Sequence, residues 1–338
     1  MNGQHEINKP TPLLDEYGAL KEPGYCKRNL FVYDRSAVTA PSWRLKEWDF
    51  YQISDGKFMV QVNFADISIG AAATADALDF SSGRKISSAK AVLFPRKRLL
   101  PLNGDVEHRF GFSKGKTELL FDVTERERRI CFSDGKLEID VTALRDPDAE
   151  SITIATPFKK RNRFFYTNKI NCMPARGFVK YCGETVKEFR EEDTFAVLDW
   201  GRGVWPYSNY WYWANGSARL EDGKLFGFEI TFGIGDESHA TETMLFYDGK
   251  AHKIGAVNVE TPPDGRWMQP WHFISEDGRL DLTMTPFYDN CNPFNLGVVK
   301  FSCHQVHGLW SGRAVLDDGK IVEVRDMYAF AEKMYNRW

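Results

Sequence analysis

The sequence predicts an all-β protein made of antiparallel barrels, and three observations carry that prediction. Asp-Gly followed by Lys or Arg recurs six times, at Asp55-Gly56-Lys57, Asp134-Gly135-Lys136, Asp222-Gly223-Lys224, Asp248-Gly249-Lys250, Asp277-Gly278-Arg279 and Asp318-Gly319-Lys320. Apolar side chains alternate beside these sites, as in Phe58, Val60, Val62 and Phe64 and in Phe226, Phe228, Ile230 and Phe232. No strand–helix alternation and no Gly-rich phosphate loop behind a strand is present, which argues against a doubly wound α/β fold.

Asp-Gly marks a turn because Gly lacks a Cβ and Asp tolerates the left-handed region, so the pair suits a two-residue type I′ hairpin. Period-two alternation places one apolar row on one face of a strand. Further β-rich runs lie at Thr117 to Val123, Leu137 to Val141, Ser151 to Ala155, Phe178 to Tyr181, Thr243 to Tyr247, Leu280 to Thr285 and Val298 to Cys303. The C-terminus departs from this pattern. Val324, Met327, Tyr328, Ala331, Met334, Tyr335 and Trp338 recur at helical spacing and predict a C-terminal amphipathic helix docked on a barrel wall.

At 338 residues the chain suits two domains, here placed at 1–194 and 195–338, with the charged stretch from Val186 to Asp193 near the junction. Lys and Arg number 44 against 47 Asp and Glu, so no basic excess exists to bind a nucleic-acid backbone. The first residues lack a basic segment followed by an apolar one, and no run approaches a membrane span. A cytoplasmic protein is expected. The six cysteines show no CxxC pair and no metal-ligand rhythm, which predicts reduced thiols, no metal and no cofactor. Nothing in the sequence sets an oligomeric state.

Residues 196–216 read AVLDWGRGVWPYSNYWYWANG and pose the main functional question. If residues 209–214 are extended, Trp211 and Trp213 share one face and Tyr210 and Tyr212 the other. One reading is a packed junction in which Asp199 pairs with Arg202. The other is a pocket in which Arg202, Trp205, Tyr207, Trp211 and Trp213 hold a ligand and Asp199 supplies an acid. Glu229 is a second candidate acid, since it lies on the face opposite Phe226, Phe228, Ile230 and Phe232, and burial would raise its pKa.

Other constellations are weaker. His239, Glu242, His252, His272, His304 and His307 lack HExxH or comparable spacing. Cys303 and His304 are adjacent, and adjacent residues on a strand diverge. The basic runs Arg96-Lys97-Arg98 and Lys159-Lys160-Arg161-Asn162-Arg163 read as exposed loops or edges, with an anion site as the minor alternative.

Leu198-Asp199-Trp200-Gly201-Arg202-Gly203-Val204-Trp205-Pro206-Tyr207, followed by Tyr210-Trp211-Tyr212-Trp213 and the closing Ala331-Glu332-Lys333-Met334-Tyr335-Asn336-Arg337-Trp338, resembles the bacterial family DUF2804. Leu13-Leu14-Asp15-Glu16-Tyr17-Gly18 and Lys46-Glu47-Trp48-Asp49 extend the resemblance over the whole chain. More distantly, the chain is similar to the AttH, carotenoid 1,2-hydratase and survival-factor group. That resemblance implies two consecutive lipocalin-like (calycin) barrels with a ligand pocket near their junction. The leading expectation is binding, and non-redox conversion by hydration, cyclisation or isomerisation, of a lipid-like or isoprenoid-like apolar small molecule. The alternatives are a carbohydrate-binding or carbohydrate-active β protein and a non-catalytic protein with a Trp-rich domain interface.

Overall fold

The computed structural model describes residues 4–95, 100–263, 265–295, 297 and 300–337, so Arg96, Lys97, Arg98 and Trp338 lie outside the described residues. All six Asp-Gly sites are hairpin turns, with glycine φ between 69° at Gly278 and 89° at Gly135. Their chemistry differs from the two-residue expectation at five of them. At Asp55 the carboxylate accepts the N–H groups of Lys57 (3.0 Å) and Phe58 (2.8 Å), and Asp134 binds Lys136 and Leu137 in the same way. The Asp side chain thus closes a longer loop while its own φ stays negative. At Asp248-Gly249 both φ values are positive, 48° and 80°, as a type I′ turn needs.

The strands form two large antiparallel sheets. In spatial order the first runs Arg84–Leu93, Gly70–Asp79, Phe58–Asp66, Leu45–Ser54, Phe195–Val204, Phe164–Tyr181, Leu137–Leu144, Glu127–Ser133, Thr117–Val123 and His108–Lys114. It curls into a near-closed barrel. Its two end strands approach, with Lys114 Nζ donating to the Ala91 carbonyl at 3.0 Å, and across the interior the Phe64 and Phe110 rings lie 4.8 Å apart. The second sheet runs Lys250–Lys253, Met244–Tyr247, Leu225–Phe232, Ser208–Arg219, Ile321–Arg337, Lys300–Val315, Leu280–Cys291, Trp271–Ser275 and Val257–Glu260, and it curls into a half-barrel. The chain crosses from one sheet to the other at residues 205–207, beyond the charged stretch, whose strand Glu184–Phe189 pairs within the first sheet. Among the described residues no helix is long and apolar enough to cross a membrane.

Each curl encloses its own apolar core. Val60, Val62 and Phe64 are buried in the first, and Phe226, Phe228, Ile230, Trp271 and Trp310 in the second. The alternation read from the sequence therefore decides which side of each strand is interior.

The C-terminal helix is not formed: Ile321–Arg337 is one 17-residue strand, central in the half-barrel between Ser208–Arg219 and Lys300–Val315. Its pairing slips where Trp310 faces Met327 while Gly312 faces Val324, and Asp326 takes φ 47° in that bulge. A bulge residue shifts the phase of alternation by one. Buried Val322 and Val324 are thus followed by buried Met327, Ala329 and Ala331, and the step of three across the bulge imitates helical spacing.

Candidate functional site

Between the facing surfaces of the two sheets lies a cavity of about 310 Å³, and strand register explains its lining. On the first sheet Asp199 is paired with Phe50 on one side and Lys169 on the other, so the three form a row on one face. On the second sheet Gln305, Glu332, Trp213 and Thr231 form the matching row. All seven line the cavity, with Trp48, Trp205 and Trp211 completing an aromatic wall.

The two glycines of the Asp-Trp-Gly-Arg-Gly stretch make room for that wall. A Cβ on Gly201 would fall 2.1 Å from the Trp48 ring, and one on Gly203 would fall 2.9 Å from Trp205 Nε1. Trp48 therefore lies over Gly201, its register partner, and donates its indole N–H to Asp199 Oδ2 at 3.1 Å. Thr167 Oγ1 donates to the other Asp199 oxygen at 3.2 Å. The Trp213 indole packs edge-on against Phe50 and Phe330, and its N–H has no hydrogen-bond partner among the described residues.

Behind this wall is a buried charge cluster. Lys169 Nζ lies 2.8 Å from Glu242, 3.1 Å from Glu229 and 4.0 Å from Asp199, and 4.2 Å above the Trp213 ring. Burial pulls Lys169 down, but Glu229, Glu242 and Asp199 together outweigh it and hold the ammonium well above its ordinary value. Burial pushes Glu229 and Glu242 up against the pull of Lys169. One ammonium faces three carboxylates here, and burial favours the protonated forms of Glu229 and Glu242. Asn215 and Thr231 fix Glu229 by donating to it at 2.8 and 3.0 Å.

Glu332 is the carboxyl best placed to exchange a proton inside the cavity. Burial lifts it to about 7, offset in part by the Trp211 indole N–H donated at 3.0 Å. Gln305 donates to its other oxygen at 3.4 Å and accepts from Gln61, which ties the two sheets together at this point.

The residues expected from sequence divide as follows. Asp199, Trp205, Trp211 and Trp213 line the cavity, while Glu229 sits behind it, held by Lys169. Arg202 is fully buried away from it. Three positions from Asp199 along a strand, it faces the opposite side, pairs with Asp49 at 2.8 Å and donates to the carbonyls of Trp48, Gly201 and Pro101. Tyr207 is exposed beneath the Arg44 guanidinium, and Tyr210 is exposed as well, on the strand face opposite Trp211 and Trp213. The histidines are dispersed: His252 meets Asp317, His272 meets Asp281 and His307 is buried against Tyr328. Arg161 of the second basic run pairs with Asp15 on the surface.

The sequence names none of Lys169, Glu332, Trp48, Gln61 and Gln305 as a site residue, although Trp48 and Glu332 stand in stretches that carry the family resemblance. A signal for the first exists in the run Phe164–Ile170, where Thr167, Asn168 and Lys169 interrupt an otherwise apolar strand. Glu332 and Gln305 gave none, because a lone polar residue in a strand is ordinary on a solvated face.

The chain belongs to the DUF2804 family, described as a domain of unknown function, whose model matches residues 4–338. No curated protein matches the sequence. The fold is similar to that of kievitone hydratase from Nectria haematococca, with a TM-score of 0.54 and 10% identity over 97% of this chain and 99% of that one. It is similar also to an AttH-like protein from Nitrosomonas europaea, with a TM-score of 0.52 and 11% identity over 89% of this chain and 96% of that one.

Proposed function

We propose that the cavity binds a small apolar molecule bearing an unsaturated carbon and converts it by acid-catalysed, non-redox chemistry, with hydration as the leading reaction. The observation that carries this reading is a carboxyl lifted to about 7, that of Glu332, on the wall of a Trp-lined cavity of about 310 Å³. That volume is at the lower end of ligand pockets, roughly 300–1,000 Å³. A pKa near the working pH lets a group both hold and release a proton. In the proposed step Glu332 gives its proton to one carbon of a double bond. The positive charge left on the other carbon faces the indole rings of Trp211 and Trp213 and the carboxylate of Asp199. Water adds there, and its proton passes to Asp199 or back to Glu332. Glu229 then acts through Lys169, as part of the charge cluster that sets the field at Asp199. The fold neighbour named a hydratase supports this reaction class for the site.

Carbohydrate stacking on open Trp faces is not favoured, because Trp205 and Trp213 are 1% and 5% exposed. A filling variant tests the proposal. Ala65 lines the cavity, and Ala65→Trp should abolish binding of an apolar environment-sensitive fluorophore without lowering Tm by more than a few degrees. Native mass spectrometry of the purified wild type should show a bound small molecule that the variant lacks. Equal dye binding by both proteins would remove the cavity as the ligand site.

A further inference from the structure

A second constellation lies outside the cavity, at the end of the half-barrel. Asp289 and Cys291, two apart on the strand Leu280–Cys291, share a face, and Cys291 is the direct register partner of His304 on the strand Lys300–Val315. The thiol sulfur lies 3.7 Å from His304 Nε2, and Asp289 Oδ2 lies 2.8 Å from His304 Nδ1. Trp267 stacks on the imidazole with ring centroids 4.6 Å apart, which fixes the ring plane. The thiol itself is exposed. Cys303, next to His304, instead turns toward the cavity between the sheets.

We propose that Cys291 is a nucleophilic thiol, with His304 as its base and Asp289 as the carboxylate that orients the base, and that it adds to soft carbon electrophiles of the α,β-unsaturated carbonyl class. Nucleophile, base and orienting group stand in the order that activation of a weak acid requires. Asp289 accepts from Nδ1–H and so leaves Nε2 as the acceptor facing the thiol. Burial first and the charge of Asp289 second push the thiol up, so its proton leaves to His304 during attack rather than to bulk water beforehand. In the addition a sulfur–carbon bond forms at the β-carbon and the double-bond pair moves toward the carbonyl. His304 Nε2 takes the thiol proton and returns it to the α-carbon. The product is a thioether, with no leaving group and no co-reactant.

The three side chains also resemble a metal-ligand set, since one donor atom from each lies within 4.8 Å of the others. The ring geometry favours the nucleophile. With Asp289 on Nδ1 and the thiol beside Nε2, carboxylate and sulfur sit at opposite ends of the imidazole, and a metal at Nε2 would gain only two protein ligands where zinc sites use three or four.

N-ethylmaleimide, itself an α,β-unsaturated carbonyl, is the probe, with modification of each cysteine followed by peptide mass spectrometry across neutral pH. Cys182, also exposed, is the internal reference. Cys291 should label at least about tenfold faster than Cys182. His304→Asn should bring Cys291 down to the reference rate and leave Cys182 unchanged, and Asp289→Asn should give a smaller loss with an altered pH profile. A Cys291 rate equal to that of Cys182, or one unaffected by His304→Asn, would overturn the assignment. So would a need for chelator before Cys291 labels, which would make the cluster a metal site.

Discussion

Glu332→Gln offers the sharpest test of the electrostatics of the cavity. The side chain is buried, and its carboxyl is lifted from an ordinary 4.5 to about 7, chiefly by burial. At about 1.4 kcal/mol for each tenfold change in proton affinity, that gap is worth about 3 kcal/mol of stability. Below pH 4.5 the acid is protonated in both folded and unfolded chains and contributes no pH dependence. Between 4.5 and 7 the unfolded chain releases its proton while the folded chain keeps it, so stability falls as pH rises. Above 7 both states are ionised and the full penalty of about 3 kcal/mol is present. Gln cannot ionise and escapes it. Urea denaturation of wild type and Glu332→Gln from about pH 4 to 8.5 should therefore give curves that separate as pH rises, with the variant the more stable by up to about 3 kcal/mol at the alkaline end. Glu229 and Glu242 titrate in both proteins, so their contributions cancel in the difference. A difference that stays constant with pH would refute the raised pKa and, with it, the assignment of Glu332 as the proton donor.

Lys169→Met should destabilise the fold by about 3–5 kcal/mol at neutral pH, because Glu229, Glu242 and Asp199 lose their shared counter-charge. Denaturation at lower pH should recover most of that loss as Glu229 and Glu242, both raised by burial, protonate. Trp213→Ala, at a ring 5% exposed, should cost about 3–5 kcal/mol, while half-buried Trp211→Ala should cost less and remove the N–H that holds Glu332; thermal melts rank the two. Gly201→Val should drive the Trp48 ring off its seat and abolish dye binding in the cavity, read by fluorescence titration. Removing residues 321–338 should prevent folding of the second sheet altogether, because that strand is central; a native-like circular dichroism spectrum would contradict the topology.

The sequence determined what short-range physics determines. Asp-Gly fixed six turns, since a positive φ and an Asx-type hydrogen bond need only neighbouring residues. Alternation separated the core faces of Phe58–Asp66 and Leu225–Phe232, and it placed Trp211 and Trp213 together on the face opposite Tyr210 and Tyr212. Tertiary structure decided the rest. The step of three from Val324 to Met327 has two local explanations, a helix turn or a bulged strand, and only pairing with Ser208–Arg219 and Lys300–Val315 selects the strand. Arg202 meets Asp49 rather than Asp199 because residues three apart on a strand face opposite sides, a consequence visible only once the strand is known. The site itself joins Trp48, Lys169, Asp199, Trp213 and Glu332 from five strands. Their convergence depends on cross-strand register and on how two curled sheets meet, and neither leaves a periodic mark in any one segment of the chain.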